Sequence, residues 1–121
     1  MKKAYVTYNN FNNQAKEIIE KAGIEVTENN TNIVPNGDEL IKIFEEYDII
    51  ITGVFSKYTK EILKTIKSPK ILASISVGLD HIDKSFFESP LVKVVNIKTA
   101  NAIFKASIAL SIIHHSFLIA S

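Results

Sequence analysis

Two kinds of apolar pattern alternate along the chain. Asp48-Ile49-Ile50-Ile51-Thr52 and Ile71-Leu72-Ala73-Ser74-Ile75 are continuous apolar runs without polar alternation, as expected of parallel strands covered on both faces. Lys3 to Thr7, Ile24 to Thr27 and Leu91 to Asn96 are mixed runs that predict three further strands. Helical patterns fill the gaps. One runs through Glu17-Ile18-Ile19-Glu20-Lys21, capped from the polar stretch Asn9 to Asn13 and ended by Gly23. A second spans Glu39 to Glu46 after the turn Pro35-Asn36-Gly37-Asp38, a third runs from Thr59 through Ile66, and a short fourth follows Asp80 or Asp83. Parallel neighbours need crossover helices, so this rhythm predicts an α/β fold with a flavodoxin-like, doubly wound parallel sheet.

From Asn101 the pattern changes to one long helix that is apolar on nearly every face, with Lys105 its one formal charge. Such a helix is either covered or spans a membrane. Lys105, Ser107, Ser111 and the pair His114-His115 argue against a membrane span, so a covered helix is expected. Residues 1–100 then form the domain, and residues 101–121 form a helix whose Ile108, Ile112 and Phe117 are expected to meet a second copy or a further domain.

Composition narrows the partners. With Lys+Arg 14 against Asp+Glu 13, the net charge is +1, too weak a field to gather phosphates along a nucleic acid. There are no cysteines, which excludes disulfides and thiolate chemistry, and zinc would have to be held by three histidines and carboxylates. His114 and His115 diverge by about 100° on a helix and cannot share an ion; no metal site is expected. Met1-Lys2-Lys3 is followed by no sustained apolar stretch, so secretion is not indicated and a cytoplasmic location is expected.

The candidate chemistry lies in Ser76-Val77-Gly78-Leu79-Asp80-His81-Ile82-Asp83, at the end of the fourth predicted strand. In open α/β sheets ligands sit just past the carboxyl ends of strands, and a glycine turn there offers free backbone N–H groups to an anion. A plain strand-to-helix turn would place Gly78 similarly, so a branched residue at position 78 is expected to damage the fold or block the approach of a ligand. His81 sits between two acids at a spacing that does not share a helix face, and a solvated or capping role is expected for it.

This segment resembles the small-residue, glycine, Val/Leu-Asp-Asn/His-Ile-Asp segment of the D-isomer-specific 2-hydroxyacid dehydrogenases, which include phosphoglycerate, glycerate and formate dehydrogenases. Val94-Val95-Asn96 is similar to that family's next strand, Asn101 falls at its next helix-opening loop, and Tyr58-Thr59-Lys60-Glu61-Ile62-Leu63 is similar to its earlier helix start. The resemblance implies an NAD-dependent oxidoreductase acting on a small 2-hydroxy or 2-keto acid. It also implies that Ser76, Val77, Gly78 and Asn101 line the substrate, with the N–H groups of Val77 and Gly78 toward its carboxylate. The family's reacting Arg, carboxylate and His lie beyond the matched positions, so no catalytic residue is expected in these 121 residues.

Nor is a cofactor expected to bind this chain. Its glycines are Gly23, Gly37, Gly53 and Gly78, which cannot form G-x-G-x-x-G, and NAD is implied only for a full-length relative. Two positions depart from the family: Gly53 stands where phosphoglycerate dehydrogenases often have Arg, and Ser107 stands where Glu is usual. The expectation is therefore the substrate-binding part of such a dehydrogenase, inactive without its NAD-binding domain. It would contact that domain or form a homodimer through residues 101–121. The alternative is a stand-alone carboxylate-binding or regulatory module of the same fold.

Overall fold

Five strands and four helices alternate through residues 2–97, the residues that the computed structural model describes. They are β1 (Lys3–Val6), α1 (Asn13–Lys21), β2 (Glu25–Glu28), α2 (Asp38–Glu46), β3 (Ile49–Thr52), α3 (Lys60–Leu63), β4 (Lys70–Ile75), α4 (Ser85–Glu88) and β5 (Val92–Ile97). All strand pairs are parallel and the order is β2-β1-β3-β4-β5, the flavodoxin-like order expected. The long helix expected from Asn101, with Ile108, Ile112 and Phe117, lies outside the described residues. Among the described residues no helix is long and apolar enough to cross a membrane.

The apolar runs explain which strands are central. Ile49, Ile50, Ile51 and Thr52 are all buried, because β3 sits between β1 and β4 and is covered on both faces. Edge strand β2 instead exposes Glu25, a charge that blunts further pairing. On one face, Ala15 and Ile19 of α1 pack over Ala4, Val6, Ile49, Ile51, Ile71 and Ala73. On the other, Leu40 and Phe44 of α2, Ile62 of α3 and Phe86 of α4 cover Ile50 and Leu72. Each fully buried Ile, Leu or Phe contributes about 1.5–3 kcal/mol to this two-sided core.

Local chemistry sets the helix ends. Asn12 caps α1 by accepting from the Ala15 N–H at 2.9 Å, and Gly23 follows its end at φ 88, a conformation that side chains rarely adopt. Gly37 precedes α2 at φ 55 and offers no capping side chain; Asp38 and Glu39 supply negative charge to the first turn instead. Helix α3 is shorter than the sequence suggests. After Leu63 the bonds tighten to the third residue back, Thr65 N to Ile62 O and Ile66 N to Leu63 O, and the Thr65 hydroxyl also takes Ile62 O at 2.7 Å.

Candidate functional site

Three loops meet beyond the carboxyl ends of the strands. The loop after β3 is held to the loop after β2 by Ser56 Oγ donating to Pro35 O at 2.8 Å and by Lys57 N donating to Asn36 Oδ1 at 2.6 Å. It is held to the loop after β4 by a short parallel bridge between Tyr58 and Ile82, with Tyr58 N donating to His81 O at 2.9 Å and Asp83 N to Tyr58 O at 2.8 Å. The segment from Ser76 to Asp83 is thus clamped at its far end to a different strand's loop.

Its near end is anchored to β5. Ser76 N donates to Ile97 O at 3.0 Å, and Asn96 Nδ2 reaches Ser76 O at 3.5 Å. Ser76 Oγ donates to Gly78 O at 2.7 Å, closing the turn from within. Among the described residues, the N–H groups of Val77 and Gly78 have no hydrogen-bond acceptor. Val77 is 83% exposed and Ser76 half-buried, so the loop lies open at the surface.

Behind the loop, polar side chains interrupt the apolar core. Thr52 and Ser74 are register partners at the ends of β3 and β4, both fully buried, and Ser74 pairs onward with Asn96. Thr7 Oγ1 donates to Thr52 Oγ1 at 3.2 Å. Tyr58 points its ring into the same layer, edge-on to Phe44, His81 and Phe86. Burial raises the pKa of its hydroxyl, which the nearby Thr52 and Ser56 hydroxyls only partly offset. Among the described residues that hydroxyl makes no hydrogen bond of full geometry, and Asn96 Oδ1 is also buried without a partner.

Two sequence expectations are corrected here. His81 is buried, not solvated, with Nε2 2.8 Å from Ser74 Oγ; it turns inward because the Tyr58–Ile82 bridge draws its backbone against the sheet. Gly78 has no left-handed φ, and a Cβ built there meets nothing within 4 Å, so the fold itself does not require glycine at this position. Ser76, Val77 and Gly78 do lie together in one loop, whereas Asn101 lies outside the described residues. Tyr58, Ser74 and His81 were missed as partners; the one sequence signal was a tyrosine and a histidine each adjoining a strand-end loop.

Burial lowers the pKa of His81, Lys57 adds to the effect, and Asp80 opposes it. The unfolded chain therefore takes up a proton at this residue below 6.5 while the folded chain still resists it. In that window stability rises with pH and is lost as pH falls. Thermal midpoints are expected to drop below about pH 6.5, and His81→Gln is expected to flatten that part of the profile; an unchanged slope would remove His81 as its cause. Asp83, whose carboxylate accepts from the Ser85 hydroxyl and N–H, is held below its ordinary value and acts only at lower pH.

The described residues do not fit a dinucleotide. The β1–α1 turn, where a phosphate-cradling glycine loop would lie, carries Asn9-Asn10-Phe11-Asn12, with Phe11 buried in the core and Asn10 at φ 63.

Comparison with known proteins places this geometry. A hydroxypyruvate reductase from Thermotoga maritima is 35% identical over 75 residues, covering 62% of this chain and 24% of that protein. The NAD+-bound 3-phosphoglycerate dehydrogenase of Entamoeba histolytica superposes with a TM-score of 0.59 at 26% identity, over 79% of this chain and 32% of the other. An NAD-binding D-isomer specific 2-hydroxyacid dehydrogenase from Polaromonas shares the fold at a TM-score of 0.65 and 19% identity, over 78% of this chain and 29% of the other. The chain thus spans about a quarter to a third of the length of these relatives. Residues 5–109 match the family described as D-isomer specific 2-hydroxyacid dehydrogenase, catalytic domain, and with that match the chain belongs to this dehydrogenase family.

Proposed function

We propose that this chain is the substrate-side domain of an NAD-dependent D-2-hydroxyacid dehydrogenase, and that Ser76, Val77 and Gly78 hold the carboxylate of a small 2-hydroxy or 2-keto acid. The supporting observation is the pair of N–H groups at Val77 and Gly78 that have no acceptor among the described residues, in a loop anchored at both ends beyond the carboxyl end of β4. Two N–H groups converging on one carboxylate form charge-assisted hydrogen bonds, each stronger than a neutral one. Their task is to fix the acid's orientation, while a bound nicotinamide supplies the hydride chemistry from a part of the protein outside the described residues. Asn101, implied by the family resemblance, remains a proposed neighbour of the same substrate. A cytoplasmic location and contact of residues 101–121 with a second copy or an NAD-binding domain belong to the same proposal.

Gly78→Val tests the loop cleanly, because the open space around Gly78 separates binding from folding. The variant is expected to keep its stability within about 0.5 kcal/mol, the usual range for a surface change. Its branched side chain, set beside the two N–H groups, is expected to weaken glycolate binding in an amide-shift titration. Wild-type affinity in a stably folded Gly78→Val would show that the carboxylate binds elsewhere.

A further inference from the structure

A line of hydrogen-bonding groups stands behind the 76–78 loop. His81 Nε2 lies 2.8 Å from Ser74 Oγ, Ser74 Oγ lies 2.7 Å from Ser76 Oγ, and Ser76 Oγ lies 2.7 Å from the Gly78 carbonyl oxygen. Counting hydrogens gives the line a direction. A carbonyl oxygen only accepts, so the single hydroxyl hydrogen of Ser76 goes to Gly78 O. Ser76 must then accept from Ser74, which uses the one hydrogen of Ser74. Ser74 in turn must accept from His81, so the imidazole carries a hydrogen on Nε2. Donation runs one way, from His81 through Ser74 and Ser76 to Gly78, and each bond polarises the next.

We infer that His81 is a positioning residue for the ligand loop: its Nε2–H, buried against the end of β4, orients the two serine hydroxyls so that Gly78 O is held and the N–H groups of Val77 and Gly78 stay outward. The anchoring is complete only with this chain. Ser76 N is fixed by Ile97 O and the Tyr58–Ile82 bridge clamps the segment beyond Gly78, but between them Gly78 O is held, among the described residues, by Ser76 Oγ, whose orientation is set by the hydrogen it accepts from Ser74. Ser74 cannot donate to Ser76 and to the ring at once. A donor at the ring position, not merely a ring of that size, is therefore what the loop requires. The 6% exposure of His81 keeps water from substituting for it.

This inference rests on reading residues 76–78 as the carboxylate loop, and two measurements keep the two ideas apart. The first is ligand-free: backbone order parameters of Ser76, Val77 and Gly78 by NMR in the wild type, His81→Leu, His81→Gln and Ser74→Ala. The wild type and His81→Gln, whose amide carries an N–H near the Nε2 position, are expected to show a rigid loop with order parameters of about 0.85, and His81→Leu and Ser74→Ala a loop below about 0.6. The second is titration with glycolate, in which His81→Leu and Ser74→Ala are expected to bind about tenfold more weakly and His81→Gln to be rescued.

A loop as rigid in His81→Leu as in the wild type overturns the positioning role whatever happens to binding, and so does a His81→Gln loop as loose as that of His81→Leu. If His81→Leu fails to fold, Ser74→Ala carries the same test, and a rigid loop there overturns the inference. A loop that is rigid in the wild type and loosened in His81→Leu and Ser74→Ala, in proteins none of which binds glycolate, would uphold the positioning role and sink the carboxylate reading alone.

Discussion

The purified chain of 121 residues, given NAD and a 2-hydroxy acid, is expected to form no reduced nicotinamide. Three features combine. No glycine loop is present to cradle a pyrophosphate, since the four glycines are isolated and the β1–α1 turn is built from asparagines. The chain contains no arginine, the residue best suited to a bidentate grip on a carboxylate beside the reacting carbon. His81, the one histidine among the described residues, is buried and commits its Nε2–H to Ser74, so it does not face a substrate as a base. The expected NAD affinity is weaker than about 1 mM, or less than about 4 kcal/mol of binding. Calorimetry with NAD and spectrophotometric assay on homogeneous protein check both parts, and sustained NADH formation would defeat the substrate-side reading.

Replacement of Phe86 by Ala is expected to remove about 3–5 kcal/mol of stability, the usual loss for a fully buried phenylalanine. Phe86 is 0% exposed and meets the Tyr58 ring edge-on at 6.1 Å between centroids, so it seats α4 against both the sheet and the loop after β3. Helix α4 has only four residues, its start held by the Asp83 carboxylate accepting from the Ser85 N–H, and is too short to hold itself together without that contact. A typical domain has only about 5–15 kcal/mol in total, so the variant is expected to unfold at much lower urea. A change below about 1 kcal/mol would mean that the pocket closes over the missing ring. Because α4 follows the 76–83 segment directly, loss of amide protection at Ile82 and Asp83 is expected to accompany the loss of stability.

How much of this was legible in the sequence differs from element to element. Ile49 to Thr52 and Ile71 to Ile75 declared themselves central strands because burial on both faces demands apolar residues at every position, and that demand is written in consecutive letters. A cap somewhere in Asn9 to Asn13 and the stop at Gly23 were readable for the same reason, since a cap acts within one turn on backbone groups a few residues away; the structure shows which asparagine it is, Asn12. Even the parallel order followed, since strands separated by helices leave few ways to wind a sheet. The extent of α3 was not readable, because Thr65 decides it by whether its hydroxyl takes a helix carbonyl or turns outward.

The sequence also pointed to a place for a candidate site, since Gly78 follows a buried strand and ligands gather at such ends, and that place remains a proposal. What holds the site was decided by the tertiary structure alone. His81 reads as a polar residue between two acids, and nothing within a few residues of it shows that it turns inward. The inward turn comes from the Tyr58–Ile82 bridge, which joins the loops of two different strands, and from Ser74, whose hydroxyl faces the ring only once β4 is paired between β3 and β5. The freedom around Gly78 was also decided there, because a glycine in a turn looks obligatory until its φ and its empty surroundings are known. Periodicity and capping act along the chain and are carried by neighbouring residues, whereas hydrogen-bond direction, burial of a lone polar group and open space around a backbone depend on segments that only the folded sheet brings together.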